Sequence, residues 1–105
     1  MNTYKEVKDY LGKKTDRPAG NKTRAVDNGD GSVGITLRGH QIVTFYQDDR
    51  VVARHCGWRT NTTKDRLNKF IPSRFTVYQE DFSWFLWDRQ NDVTVPFLSS
   101  NELRS

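Results

Sequence analysis

The gaps between this chain's alternating apolar segments are short, and that constrains its fold more than anything else. Val33, Ile35 and Leu37 alternate with Gly34, Thr36 and Arg38, the pattern of a half-buried strand. Thr23 to Val26 precedes it as a short strand. Between the two lies Asp27-Asn28-Gly29-Asp30-Gly31, whose Asn and Gly residues accept positive φ. Ile42 to Tyr46, rich in β-branched and aromatic residues, follows the tight turn Gly39-His40. Gln47 to Arg50 reads as a hairpin loop and Val51 to Cys56 as the partner strand. A parallel pairing needs a crossover of about a dozen residues or more, and no gap here is that long. The stretch therefore reads as an antiparallel meander.

Helical spacing appears on either side. Tyr4, Val7, Tyr10 and Leu11 predict a short amphipathic helix over 3–11, ended by Gly12. Residues 12–22 mix Gly, Pro and charge and read as a linker or surface loop. After Cys56, Thr60 to Thr63 offers several N-caps, and Thr62 with Asp65 approximates a capping box. Thr63, Leu67, Phe70 and Ile71 share one helical face, and Pro72 stops the run. These signals predict a helix over about 62–70, docked on the sheet.

Phe75 to Gln79 and Phe82 to Trp87 read as two strands with Glu80-Asp81 between them. Val93, Val95 and Phe97 suggest a last short strand, which Pro96 assigns to an edge. The polar end SSNELRS is expected to fray. The expected fold is α+β: a twisted antiparallel sheet of about five strands with one short helix packed on it and an N-terminal helix. The expected organisation is a helix and basic linker over 1–22, one α+β domain over 23–98 and a polar tail over 99–105.

Composition excludes several classes. The 105 residues suffice for one core, and 12% aromatics offset an apolar share of only 34%. No run approaches the 18 or so apolar residues of a membrane span, and the N-terminus has no signal-peptide core. The lone Cys56 has no internal disulfide partner, which favours a reduced, cytosolic setting.

Charge is concentrated. The net charge is +4, yet residues 50–74 carry seven Lys/Arg against Asp65 alone. Such a segment produces a positive patch on a mildly basic chain, unless acids fold alongside it. Within it, Trp58 and Arg59 stand directly before the Thr/Asn cluster of the predicted helix. A helix N-terminus offers free N–H groups and partial positive charge to a phosphate. The candidate nucleic-acid contacts are therefore Arg54, Trp58, Arg59, Thr62, Lys64, Arg66 and Lys69. The Arg and Lys side chains would neutralise phosphates, Thr62 would position one, and Trp58 would stack on a base. The competing reading makes the threonines plain caps and Trp58 a core residue.

Phe82, Trp84 and Leu86 oppose Ser83, Phe85 and Trp87 in a strand, so its aromatics cannot all share one face. Either both faces are covered or one is an exposed interface. The favoured arrangement puts the 62–70 helix on one face and the N-terminal segment on the other. A second candidate surface, for a partner protein, comprises Asp48, Asp49, Glu80, Asp81, Phe85 and Trp87. Its acids would imitate phosphates in a basic groove.

Catalytic and metal motifs are missing. His40, His55 and Cys56 have no metal-ligand spacing, and alternation sends His55 and Cys56 to opposite faces. No cofactor motif is present. A Mg²⁺ nuclease built on Asp27, Asp30, Asp48 and Asp49 is an alternative that no spacing supports.

The core Gly57-Trp58-Arg59-Thr60-Asn61-Thr62-Thr63-Lys64-Asp65-Arg66-Leu67-Asn68 follows Leu37-Arg38-Gly39-His40-Gln41-Ile42-Val43 and the element Gly20-Asn21-Lys22-Thr23, and precedes Tyr78-Gln79. This resembles a family of small bacteriophage accessory proteins with a Gly-Trp-x-Thr-x-Thr-Thr-Lys-x-Arg-x-Asn core. The resemblance spans residues 20–88 and leaves out the N-terminal helix. One departure is Arg38, where that family's pattern has His. The resemblance implies a phage origin and a non-virion, accessory role in the host cytoplasm. Small phage accessory proteins often bind nucleic acid or a nucleoprotein, or block host defence or replication enzymes in an anti-CRISPR-like manner. The expected function is non-enzymatic nucleic-acid binding, with host-protein inhibition as the alternative.

Overall fold

The computed structural model describes residues 1–104. It has the order α1 (Tyr4–Leu11), β1 (Asp16–Gly20), β2 (Thr23–Asp27), β3 (Val33–Leu37), β4 (His40–Phe45), β5 (Arg50–Ala53), α2 (Asn61–Phe70), β6 (Phe75–Glu80), β7 (Ser83–Asp88), β8 (Val93–Pro96) and β9 (Asn101–Arg104). The α+β class holds. Instead of one sheet of about five strands there are two antiparallel sheets, β1-β2-β3-β4-β5-β9 and β6-β7-β8.

The meander has the expected strand order and antiparallel pairing, and its inner strands form the centre of the core. Its second turn is Arg38-Gly39 rather than Gly39-His40, because Leu37 pairs with His40, and β5 ends at Ala53 rather than Cys56. Val33, Ile35, Val43 and Phe45 are fully buried. Gly34 is required between them, because a Cβ there would lie 2.4 Å from the Gln41 side chain and 2.9 Å from the Val43 carbonyl. A bulge in β4 leaves Ile42 unpaired between Gln41 and Val43, so Ile42 and Val43 are both buried.

Both ends of the chain depart from expectation. Residues 16–20, read as linker, form edge strand β1 on β2, tied back by Arg17 donating to the Tyr10 carbonyl at 2.7 Å. The sequence Asp-Arg-Pro-Ala-Gly has no strand formers, so pairing rather than propensity makes this strand. The tail read as frayed forms β9, pairing Val51 with Leu103. Leu103 is buried there, and the Asn101 amide donates to the carbonyls of Ala53 (3.1 Å) and Leu98 (2.7 Å).

The helices are capped differently from expectation. The capping box stands at α1, where Thr3 Oγ1 accepts from the Glu6 N–H and Glu6 reaches back to the Asn2 N–H. Helix α2 begins at Asn61, and its cap is Thr60, not Thr62: Thr60 Oγ1 accepts from the Thr63 N–H at 3.2 Å. Thr63, Leu67 and Phe70 form its buried face, each large apolar side chain contributing about 1.5–3 kcal/mol. Helix α2 packs on β3, β4 and β6 and so joins the two sheets. Asn68 completes the joint at the free edge of β6. Its amide donates to the Val77 carbonyl (2.9 Å) and its carbonyl accepts from the Val77 N–H (2.7 Å).

Helix α1 packs on β2 and β3, not on β7 as expected. Side chains of the small sheet and its β7–β8 connection pack on its outer face. Tyr78 stacks on Phe85 (5.6 Å, 28°), and Arg89 lies over Trp87 (5.2 Å). Its inner face buries Val77, Trp84 and Leu86.

Candidate functional site

Successive connections of an antiparallel meander alternate between its two ends. The Asn21-Lys22 turn, the Arg38-Gly39 turn and the connection from β5 to α2 therefore share one end. The acidic turns 27–32 and 46–49 share the other. Charge is sorted by topology, which a linear tally of segments does not show.

At the cationic end the two tips touch. Thr23 pairs with Leu37, and the Arg38 N–H donates to the Lys22 carbonyl at 2.8 Å. A cleft of about 370 Å³ separates these tips from the start of α2, with Lys22, Arg38, Thr62, Asp65 and Arg66 on its walls. A second, of about 600 Å³, continues over the sheet face past Lys22, Arg24 and Arg38. Arg38 also borders a third, with His40, His55 and Trp58. That one holds about 20 Å³, room for one water and not for a base. Lys22 and Arg38 make no ion pair among the described residues. Arg24 is held by Asp16, and Arg66 pairs with Asp65 at 2.8 Å. Sequence reasoning missed both free cations. The signal was available as two tight turns at the same end of a meander, but only if 16–20 is counted as a strand.

The expected contacts separate into two groups. Thr62, Arg66 and Lys69 lie on one stripe of α2, and the first two line the 370 Å³ cleft. Lys64 lies on another face, donating to Gln79 Oε1 at 2.9 Å and standing 5.7 Å from the Trp84 ring. It serves the junction with the small sheet. Arg66 also donates to Thr23 Oγ1 at 3.1 Å, so it ties α2 to β2 as well as lining the cleft. Arg54 and Arg59 are exposed and unpaired among the described residues.

Trp58 is 45% exposed, which removes the core reading, and it tilts 46° against His40 at 5.9 Å. Nearly half of the residue's surface remains in solvent. Behind it His55 is buried, edge-on to Trp84 at 6.0 Å. The Gly57 N–H donates to His55 Nδ1 at 2.9 Å, which assigns the neutral ring's proton to Nε2. Burial, and secondarily the Arg59 charge, hold its pKa below the ordinary 6.5.

The alternation argument that parted His55 from Cys56 does not apply. Strand β5 ends at Ala53, and Cys56 has φ 54°. Cys56 Sγ donates to the Gln41 carbonyl at 3.2 Å, and burial raises its pKa. Among the described residues no group of three or more His, Cys, Asp or Glu is placed to hold a metal ion, and no helix is long and apolar enough to cross a membrane.

The residues of the second expected surface are spread over both sheets. Asp48 and Asp49 lie at the β4–β5 turn, with Asp48 3.9 Å from Arg50. Glu80 and Asp81 lie at the tip of β6–β7, in the other sheet. Phe85 and Trp87 are half-buried on its outer face. Phe82, expected inside the strand, is instead in the turn and 91% exposed. The turn is Asp81-Phe82 rather than Glu80-Asp81, because Glu80 pairs with Ser83. This register sets Asp88 beside Arg74 in a two-pronged ion pair at 2.7 and 3.2 Å, which keeps the Asp88 carboxyl below its usual pKa.

No curated protein and no solved structure matches the chain. A family model does, over residues 2–104, and thus includes α1 and β9 as well as the span 20–88 that carries the motif resemblance. By that match over nearly its whole length, the chain belongs to a phage family, the Kyanoviridae Gp96 proteins.

Proposed function

We propose that this phage protein acts without chemistry of its own, in the host cytoplasm, by binding nucleic acid in the groove between the two hairpin tips and α2. The observation that carries this is the meeting of two unpaired cations, Lys22 and Arg38, at the start of α2, with the half-exposed Trp58 bordering an adjoining cleft on Arg38. The first-turn N–H groups of Asn61 and Thr62 have no acceptor within the helix, which suits a phosphate oxygen. Arg66 and Lys69 continue the cationic stripe, Arg54 and Arg59 flank Trp58, and Trp58 stacks on a base from outside. Because the cleft beneath Trp58 admits only a water, no base enters it.

The test is fluorescence anisotropy of labelled single- and double-stranded oligonucleotides at several salt concentrations. With about four phosphates neutralised, log K falls against log salt with a slope of roughly −3 to −4. Arg59→Gln weakens binding and flattens the slope. Lys64→Gln, whose charge already serves Gln79 and Trp84, changes it little. Absence of binding at low salt, or a slope that survives loss of the groove cations, overturns the reading.

A further inference from the structure

The β6–β7 tip is at odds with its own backbone. Asp81 and Phe82 form a two-residue loop with φ of 50° and 66°. Such loops favour Asn-Gly or Asp-Gly, since a side chain at the second position is strained where glycine is not. Phe82 bears that strain and has no burial in return, with 91% of it exposed and no ring partner among the described residues. Beside it, Glu80 and Asp81 are exposed and pair with no cation among the described residues. The stem below is firmly held, by Asn68 on Val77 and Lys64 on Gln79. Folding alone would favour glycine at position 82.

We propose that this tip is a preorganised docking knob for a partner protein: Phe82 fills an apolar pocket, and lysines or arginines on the pocket's rim pair with Glu80 and Asp81. Rigid presentation lowers the ordering cost of binding, and a single aromatic anchor in a desolvated pocket dominates many interfaces. The adjoining carboxylates argue against a nucleic-acid ligand, whose phosphates they repel. The proposal does not depend on the groove, because Lys22 and Arg38 take no part in it.

Two measurements test it. In the purified full-length protein, Phe82→Gly leaves the melting temperature unchanged or raises it; a lowered melting temperature means that Phe82 serves the fold and overturns the proposal. In infected cells, p-benzoylphenylalanine at position 82 yields on irradiation one discrete protein adduct. That adduct falls at least tenfold when Glu80→Gln and Asp81→Asn are added, and is missing when the probe replaces Leu98, also exposed. Mass spectrometry maps it to a partner segment with Lys or Arg close by. No adduct, one indifferent to the two carboxylates, one equal at both positions, or one removed by nuclease overturns it.

Discussion

The β3–β4 and β6–β7 hairpins solve one geometric problem with opposite chemistry. Each closes in two residues, both at positive φ: Arg38-Gly39 at 53° and 83°, Asp81-Phe82 at 50° and 66°. The first follows backbone preference, with glycine where a side chain is least welcome, and its cation is turned into a groove. The second carries Phe at the same position, leaves it in solvent and flanks it with acids. A residue that agrees with its backbone needs no further cause. One that disagrees, with no packing to offset it, points outside the molecule.

The largest effect expected is on binding. Lys22→Gln with Arg38→Gln should lower nucleic-acid affinity on the order of 10- to 100-fold near 0.1 M salt and reduce the salt slope by about two. Glu80→Gln with Asp81→Asn should lower it not at all. Equal losses from the two pairs would erase the distinction between the tips.

Next is the clamp beneath the acidic tip. Asn68→Ala leaves the N–H and C=O of buried Val77 unpaired and should cost about 1–3 kcal/mol in urea denaturation. A neutral result would detach the small sheet's rigidity from α2.

The turns themselves should respond with opposite signs. A Cβ on Gly39 meets nothing within 4 Å, so Gly39→Ala reports backbone strain alone, about 1–2 kcal/mol destabilising. Phe82→Gly relieves the same strain but frees the unfolded chain, for a net gain of up to about 1 kcal/mol. The same sign at both positions would mean that the tips are not equivalent backbones.

The smallest effect is on pH dependence. His55 binds a proton more readily in the unfolded chain, because burial and Arg59 lower its pKa in the fold. Its contribution to stability is therefore full above 6.5, declines as pH falls below that value and levels off below the folded pKa. His55→Asn, whose carbonyl can replace Nδ1 as acceptor for Gly57, should remove this part of the decline in melting temperature between pH 7.5 and 5.5. An unaltered decline would assign it elsewhere.

The sequence by itself determined α1, the β2–β5 meander and the position of α2 to within a residue. Those elements rest on local physics: period-two burial, helical spacing, glycine and proline punctuation. It also placed Trp58 and the α2 cations close together. What only the tertiary structure decided is which residues meet. Strands β1 and β9 are the two edges of the large sheet, where pairing with a neighbour supplies order that local propensity does not, and buried Leu103 and Asn101 anchor β9. The register that puts Phe82 in the turn, with Glu80 opposite Ser83, also brings Arg74 to Asp88. Lys22 and Arg38 share a groove because alternate connections of a meander return to the same end, and that cannot be counted until every strand is known.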